Sequence, residues 1–125
     1  MTKILLVEDN EMNRDMLSRR LIRKEFEIVC AIDGQAGVEK AASEMPDLIL
    51  MDIALGEDMD GWEATQLIKA NPATQHIPVI ALTAHALESD RRKSVEVGCS
   101  EFDTKPVDLP RLLEKISGVL SKKAA

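Results

Sequence analysis

At 125 residues, 45% hydrophobic and 30% charged, the chain has the size and composition of one folded domain and lies far from the disordered class. A formal charge of −6, from 16 basic and 22 acidic residues, and only three aromatics (Phe26, Trp62, Phe102) argue against a basic, base-stacking nucleic-acid surface. Cys30 and Cys99 fit neither a metal spacing nor a disulfide framework and read as reduced thiols; with no signal peptide or long apolar span, a cytoplasmic location is expected.

Lys3-Ile4-Leu5-Leu6-Val7 is an apolar run of the kind buried on both faces of a parallel sheet, and it ends in Glu8-Asp9-Asn10. Asn10 is placed to cap a helix from Glu11 to about residue 23, with Met12, Met16, Leu17 and Leu21 as its apolar positions. Ile28-Val29-Cys30-Ala31 reads as a shorter strand near an edge, and Asp33-Gly34 as a turn. A helix follows with Val38, Ala41, Ala42 and Met45 on one stripe, stopped by Pro46.

Asp47-Leu48-Ile49-Leu50-Met51-Asp52 is the central buried strand. The loop from Ile53 to Asp60-Gly61 leads into a third helix with Ala64, Leu67 and Ile68 inward, closed before Pro72. Ile77 to Leu82 is the fourth strand and delivers Thr83. A polar helix over about 87–97 offers only Leu87, Val95 and Val97 as apolar contacts. Glu101-Phe102-Asp103-Thr104 is a short fifth strand before Lys105-Pro106. Asp108 caps the last helix, whose stripe is Leu109, Leu112, Leu113, Ile116 and Leu120, with Pro110 harmless in its first turn. The domain is expected over residues 1–121, with 122–125 as a loose tail.

Five strands alternating with five helices imply an α/β fold: a three-layer, doubly wound, five-stranded parallel sheet of flavodoxin-like order 2-1-3-4-5. In that arrangement the carboxyl ends of four strands deliver Glu8, Asp9, Asp52, Thr83 and Lys105 to one crevice. Taken singly, each has a plain structural role: a turn, a helix cap, a solvated lysine. Together they form a set of oxygen ligands suited to Mg²⁺, with a hydroxyl and an ammonium opposite, parts that recur where phosphoryl groups are transferred. An ionised aspartate needs no general base to act as nucleophile.

Ile4-Leu5-Leu6-Val7-Glu8-Asp9-Asn10, Asp47 to Ile53, Asp60-Gly61, Val79 to Ala84 and Lys105-Pro106 together resemble the response-regulator receiver domains of two-component signalling, the CheY-like family. The resemblance implies Asp52 as phosphoacceptor and Mg²⁺, with Mn²⁺ as a substitute, held by Asp9 directly, Glu8 through water, Asp52 and the backbone carbonyl of Ala54. It also implies Thr83 and Lys105 as phosphoryl contacts, a cis Lys105-Pro106 peptide, Thr83 and Phe102 as switch residues, and Ala54 and His85 as positions that tune phosphoryl lifetime. Leu55-Gly56 departs from the family's usual Leu-Pro, and the loop to Asp60-Gly61 is one residue longer. Trp62 reads as packing.

The function so implied is a phosphorylation-activated regulator, not a conventional enzyme, that catalyses its own aspartyl phosphorylation and dephosphorylation. Its donor is a histidine kinase or histidine phosphotransfer protein. Its output is a protein partner on the face of the fourth helix, fifth strand and fifth helix, without nucleic acid or membrane. The rival readings are a degenerate receiver serving as a phosphorylation-independent scaffold and a receiver cut from a hybrid kinase. An Asp phosphatase would want a second acid where Ala54 stands, and a flavodoxin would want a Ser/Thr/Gly-rich loop where Glu8-Asp9-Asn10 stands.

Overall fold

The computed structural model describes residues 1–55, 59–84 and 88–124. Strands and helices alternate: β1 (Lys3–Val7), α1 (Glu11–Arg23), β2 (Glu27–Ala31), α2 (Gly34–Glu44), β3 (Leu48–Asp52), α3 (Gly61–Ala70), β4 (Val79–Thr83), α4 (Glu88–Glu96), β5 (Glu101–Thr104) and α5 (Leu109–Ala124). The strands form one parallel sheet in the order β2-β1-β3-β4-β5. The apolar runs explain the arrangement: β1, β3 and β4 are buried on both faces, so each needs helices above and below.

Alternate residues of each strand feed two cores. Leu5, Val7, Ile49, Met51, Val79 and Ala81 pack with Ala41, Ala64 and Ile68 of α2 and α3. Ile4, Leu6, Leu48, Leu50, Ile80 and Leu82 pack with Leu17 and Leu21 of α1 and Leu112, Ile116 and Val119 of α5. Aspartate and asparagine side chains cap α1, α2, α3 and α5: Asn10 accepts from the Asn13 amide at 2.9 Å, Asp33 from Ala36 at 2.7 Å, Asp60 from Glu63 at 2.8 Å and Asp108 from Arg111 at 3.1 Å.

Several expected details are corrected. Met12 and Met16 are exposed, while Leu17 and Leu21 are buried. At about 100° per residue the two methionines share a stripe that lies roughly 100–180° round the helix from the leucines, so only one stripe could face the sheet. In α2 the buried positions are Gly34, Gly37 and Ala41, with Ala42 and Met45 outside. A Cβ on Gly37 would stand 2.9 Å from Val7 Cγ2, so the helix rides close on small residues. Leu67 and Val95 are exposed, and β4 begins at Val79, after Pro78. Leu87 lies outside the described residues. The segment expected to be a loose tail continues α5 to Ala124.

β5 is an edge strand, and its alternate backbone groups are taken up by side chains. The Phe102 amide donates to Glu101 Oε1 at 3.0 Å and the Thr104 amide to Asp103 Oδ1 at 2.8 Å. Lys115 Nζ donates to the Phe102 carbonyl, and Arg111 reaches the Thr104 carbonyl at 3.5 Å. At the opposite edge, Lys40 Nζ donates to the Cys30 carbonyl at 2.6 Å. None of the described helices is long and apolar enough to cross a membrane.

Candidate functional site

Parallel pairing brings the strand ends level. Val7 is in register with Met51, Asp52 with Leu82, and Thr83 with Thr104. The residues just past β1 and β5 and the last residues of β3 and β4 therefore meet at one edge of the sheet, as the topology requires of its carboxyl ends. Glu8, Asp9 and Asp52 each place a carboxylate oxygen within 4.8 Å of the others. Glu8 and Asp52 are buried, and Asp9 is exposed.

Lys105 closes the group. Its Nζ lies 3.0 Å from Asp52 Oδ2 and 2.8 Å from Glu8 Oε1. The other Asp52 oxygen, Oδ1, accepts from the Ala54 amide at 3.2 Å. The Lys105 amide donates to the Thr83 carbonyl at 2.7 Å, tying the lysine's backbone to β4, and the Lys105-Pro106 peptide is cis, as expected. Thr83 is buried at the end of β4.

The electrostatics follow from burial and like charge. Burial raises the Glu8 pKa, and a hydrogen bond with Asp52 and the repulsion from that carboxylate raise it further, against the opposing pull of Lys105. For Lys105, burial disfavours the charged form. Its hydrogen bonds to Glu8 and Asp52 outweigh that, and its pKa is raised. Two buried carboxylates with a third in reach and one ammonium between them are short of positive charge. A set of hard oxygen donors so placed fits a divalent cation such as Mg²⁺.

Two further features hold this arrangement. Gly61 opens α3 against the end of β3: a Cβ there would stand 2.3 Å from the Asp52 carbonyl oxygen and 2.7 Å from Ile53 Cα. Arg14, a residue with no motif to mark it in the sequence, donates from Nη1 to the Glu8 carbonyl at 2.9 Å and reaches the Asp9 carbonyl at 3.5 Å. Its signal was a cation three and seven residues before Leu17 and Leu21, on the sheet-facing stripe of α1. Phe102 is half-buried and packs against the α2–α3 core, and Trp62 packs there too. Ala54 is exposed two residues beyond Asp52. His85 lies outside the described residues.

A doubly wound sheet with an acidic cleft and one half-buried lysine at its carboxyl edge defines a receiver-type α/β domain. The model of the response regulator receiver domain matches residues 4–117, and the chain belongs to that family. It is 37% identical over 121 residues to the polar-differentiation response regulator DivK of Brucella ovis, covering 96% of this chain and 98% of DivK. It is 37% identical over 114 residues to the response regulator PleD of Caulobacter vibrioides, covering 91% of this chain but only 25% of PleD; the chain thus spans a quarter of that relative's length. Among solved structures, the chemotaxis protein CheY4 of Vibrio cholerae superposes with a TM-score of 0.89 at 26% identity, over 95% of this chain and 98% of that one. The receiver domain of a sensor histidine kinase from Pseudomonas aeruginosa, with a magnesium ion coordinated in its active-site cleft, superposes with a TM-score of 0.88 at 32% identity, over 96% and 98%. Receiver domains are signalling proteins of two-component systems rather than conventional enzymes, and they work with histidine kinases or phosphotransfer proteins and downstream partners.

Proposed function

We propose that this chain is a phosphorylation-controlled switch in which Asp52 accepts a phosphoryl group from a phosphohistidine on a histidine kinase or phosphotransfer protein. The observation that carries the reading is Lys105 Nζ lying 3.0 Å from Asp52 and 2.8 Å from Glu8, with Asp9 beside them. Glu8, Asp9, Asp52 and the Ala54 carbonyl are the residues that would hold Mg²⁺. When bound, the ion supplies the positive charge that offsets these carboxylates and the phosphoryl oxygens.

Asp52 is the nucleophile. One carboxylate oxygen forms the bond to phosphorus as the donor's P–N bond breaks, and the electron pair leaves on the donor imidazole. Lys105 pairs with the phosphoryl oxygens, and the Ala54 amide holds the carboxylate in place. Such positioning and charge neutralisation are the main resources of phosphoryl transfer. The hydroxyl of Thr83 then turns to a phosphoryl oxygen, and the space it leaves lets Phe102 turn inward. That repacking alters the α4–β5–α5 face, which a protein partner reads. Ala54 and His85, two residues past Asp52 and Thr83, set how readily water reaches the acyl phosphate.

Incubation with Mg²⁺ and acetyl phosphate, followed by intact mass, tests the reading. One added phosphate on the wild-type chain and none on Asp52→Asn is the expected result. Equal labelling of Asp52→Asn would move the acceptor elsewhere.

A further inference from the structure

We infer that Arg14 is a positioning residue for the acidic pair, aiming Asp9 by gripping the backbone on either side of it. The inference rests on reading Glu8, Asp9 and Asp52 as a cation site. Asp9 is exposed, so the direction of its carboxylate is set by its backbone more than by packing. That backbone is short and closely held. The Glu8 amide donates to the Ala31 carbonyl at 3.0 Å, the Asn10 amide lies 3.3 Å from Glu8 Oε2, and the Arg14 amide donates to the Asn10 carbonyl at 2.9 Å. The carbonyls of Glu8 and Asp9 are both reached by the guanidinium of Arg14, at 2.9 and 3.5 Å. The peptide planes that flank the Asp9 Cα are thereby tied to the first turn of α1. The side chain that ties them is itself half-buried, on the stripe that otherwise carries Leu17 and Leu21.

Two roles for this arginine predict opposite signs. As a bare positive charge beside a cation site it would repel the ion, and its removal would tighten binding. As the clamp on the acidic turn it holds a ligand in place, and its removal weakens binding. Partners that orient metal ligands in this way are typically worth about ten- to a hundredfold in affinity.

The test is calorimetric titration of MgCl₂ into the chelator-treated protein, with thermal unfolding in parallel to confirm that each variant is folded. Arg14→Met is expected to bind Mg²⁺ about tenfold more weakly than wild type. Arg14→Lys, which keeps a donor on a long stem, is expected to fall between the two. Arg19→Met removes the same charge from the exposed side of α1, where Arg19 pairs with Asp15 at 3.0 Å, and is expected to leave the affinity unchanged. Unchanged or tighter binding by Arg14→Met overturns the inference, as does Arg14→Lys binding no better than Arg14→Met. Failure of the wild-type chain to bind Mg²⁺ would instead remove the cation-site reading beneath it.

Discussion

The ammonium of Lys105 sits 2.8 Å from Glu8 Oε1, so the lysine bridges two acidic groups rather than serving Asp52 alone. Replacing it by methionine strands two buried carboxylates. Removing one partner of a buried ion pair costs about 3 kcal/mol, and Lys105→Met should lose that much in urea unfolding of chelator-treated protein. Added Mg²⁺ is expected to narrow the gap to wild type, because the ion substitutes for the missing charge and stabilises by binding. An equal gap with and without Mg²⁺ would show that the lysine and the ion do not share one site.

Glu8 makes the metal-free protein sensitive to pH. Its folded pKa is raised by burial and by Asp52. A carboxyl raised in this way stabilises fully below its unfolded pKa, and the contribution is lost as pH climbs through the folded value. Chelator-treated wild type should therefore gain stability relative to Glu8→Gln as pH falls from neutrality toward the ordinary carboxylate range. Melting curves of the two proteins across that window decide it, and parallel pH profiles would contradict the assignment.

Gly61 tolerates no side chain. The two nearest groups a Cβ would meet are the Asp52 carbonyl oxygen and Ile53 Cα, both backbone, so no rotamer change relieves the clash. Gly61→Ala is expected to cost about 3 kcal/mol and to alter the fluorescence of the adjacent Trp62. A substitution that left both stability and emission untouched would mean that α3 does not start against β3 as described.

The two thiols should differ in reactivity. Burial pushes the Cys99 thiol up to about 11. At pH 8 that leaves roughly one thiol in a thousand ionised, so alkylation of native protein should spare Cys99. Cys30 is half-buried, its pKa raised by burial in part against Arg14 and Lys40, and should label first. Peptide mapping after brief iodoacetamide treatment reads the order directly.

Much of this fold is legible in the sequence. Continuous apolar runs bounded by charge marked the buried strands, because only a sheet covered on both sides accepts Leu48 to Met51 without a polar break. The same bounding residues, Glu8, Asp9, Asp52, Thr83 and Lys105, turned out to be neighbours, since parallel strands end at one edge. Less legible was what small residues do. Gly34 and Gly37 carry no apolar signal, yet they lie on the buried side of α2, against Met59 and Val7, and the more hydrophobic Met45 lies outside. Apolar periodicity also could not choose between the two stripes of α1, which differ only in rotation. Nor could residue type reveal that Glu8 is more deeply buried than Asp9, or that Arg14 crosses to their carbonyls. Those depend on how closely the helix sits.

The side-chain ties along the β5 margin of the sheet carry a consequence for how the molecule meets others. With Glu101, Asp103, Arg111 and Lys115 occupying the rim of β5, a visiting strand at that edge would find its would-be partners already engaged. Recognition at that edge is thereby steered away from β-augmentation and toward contacts between helices and side chains, which can be made and released without lengthening the sheet.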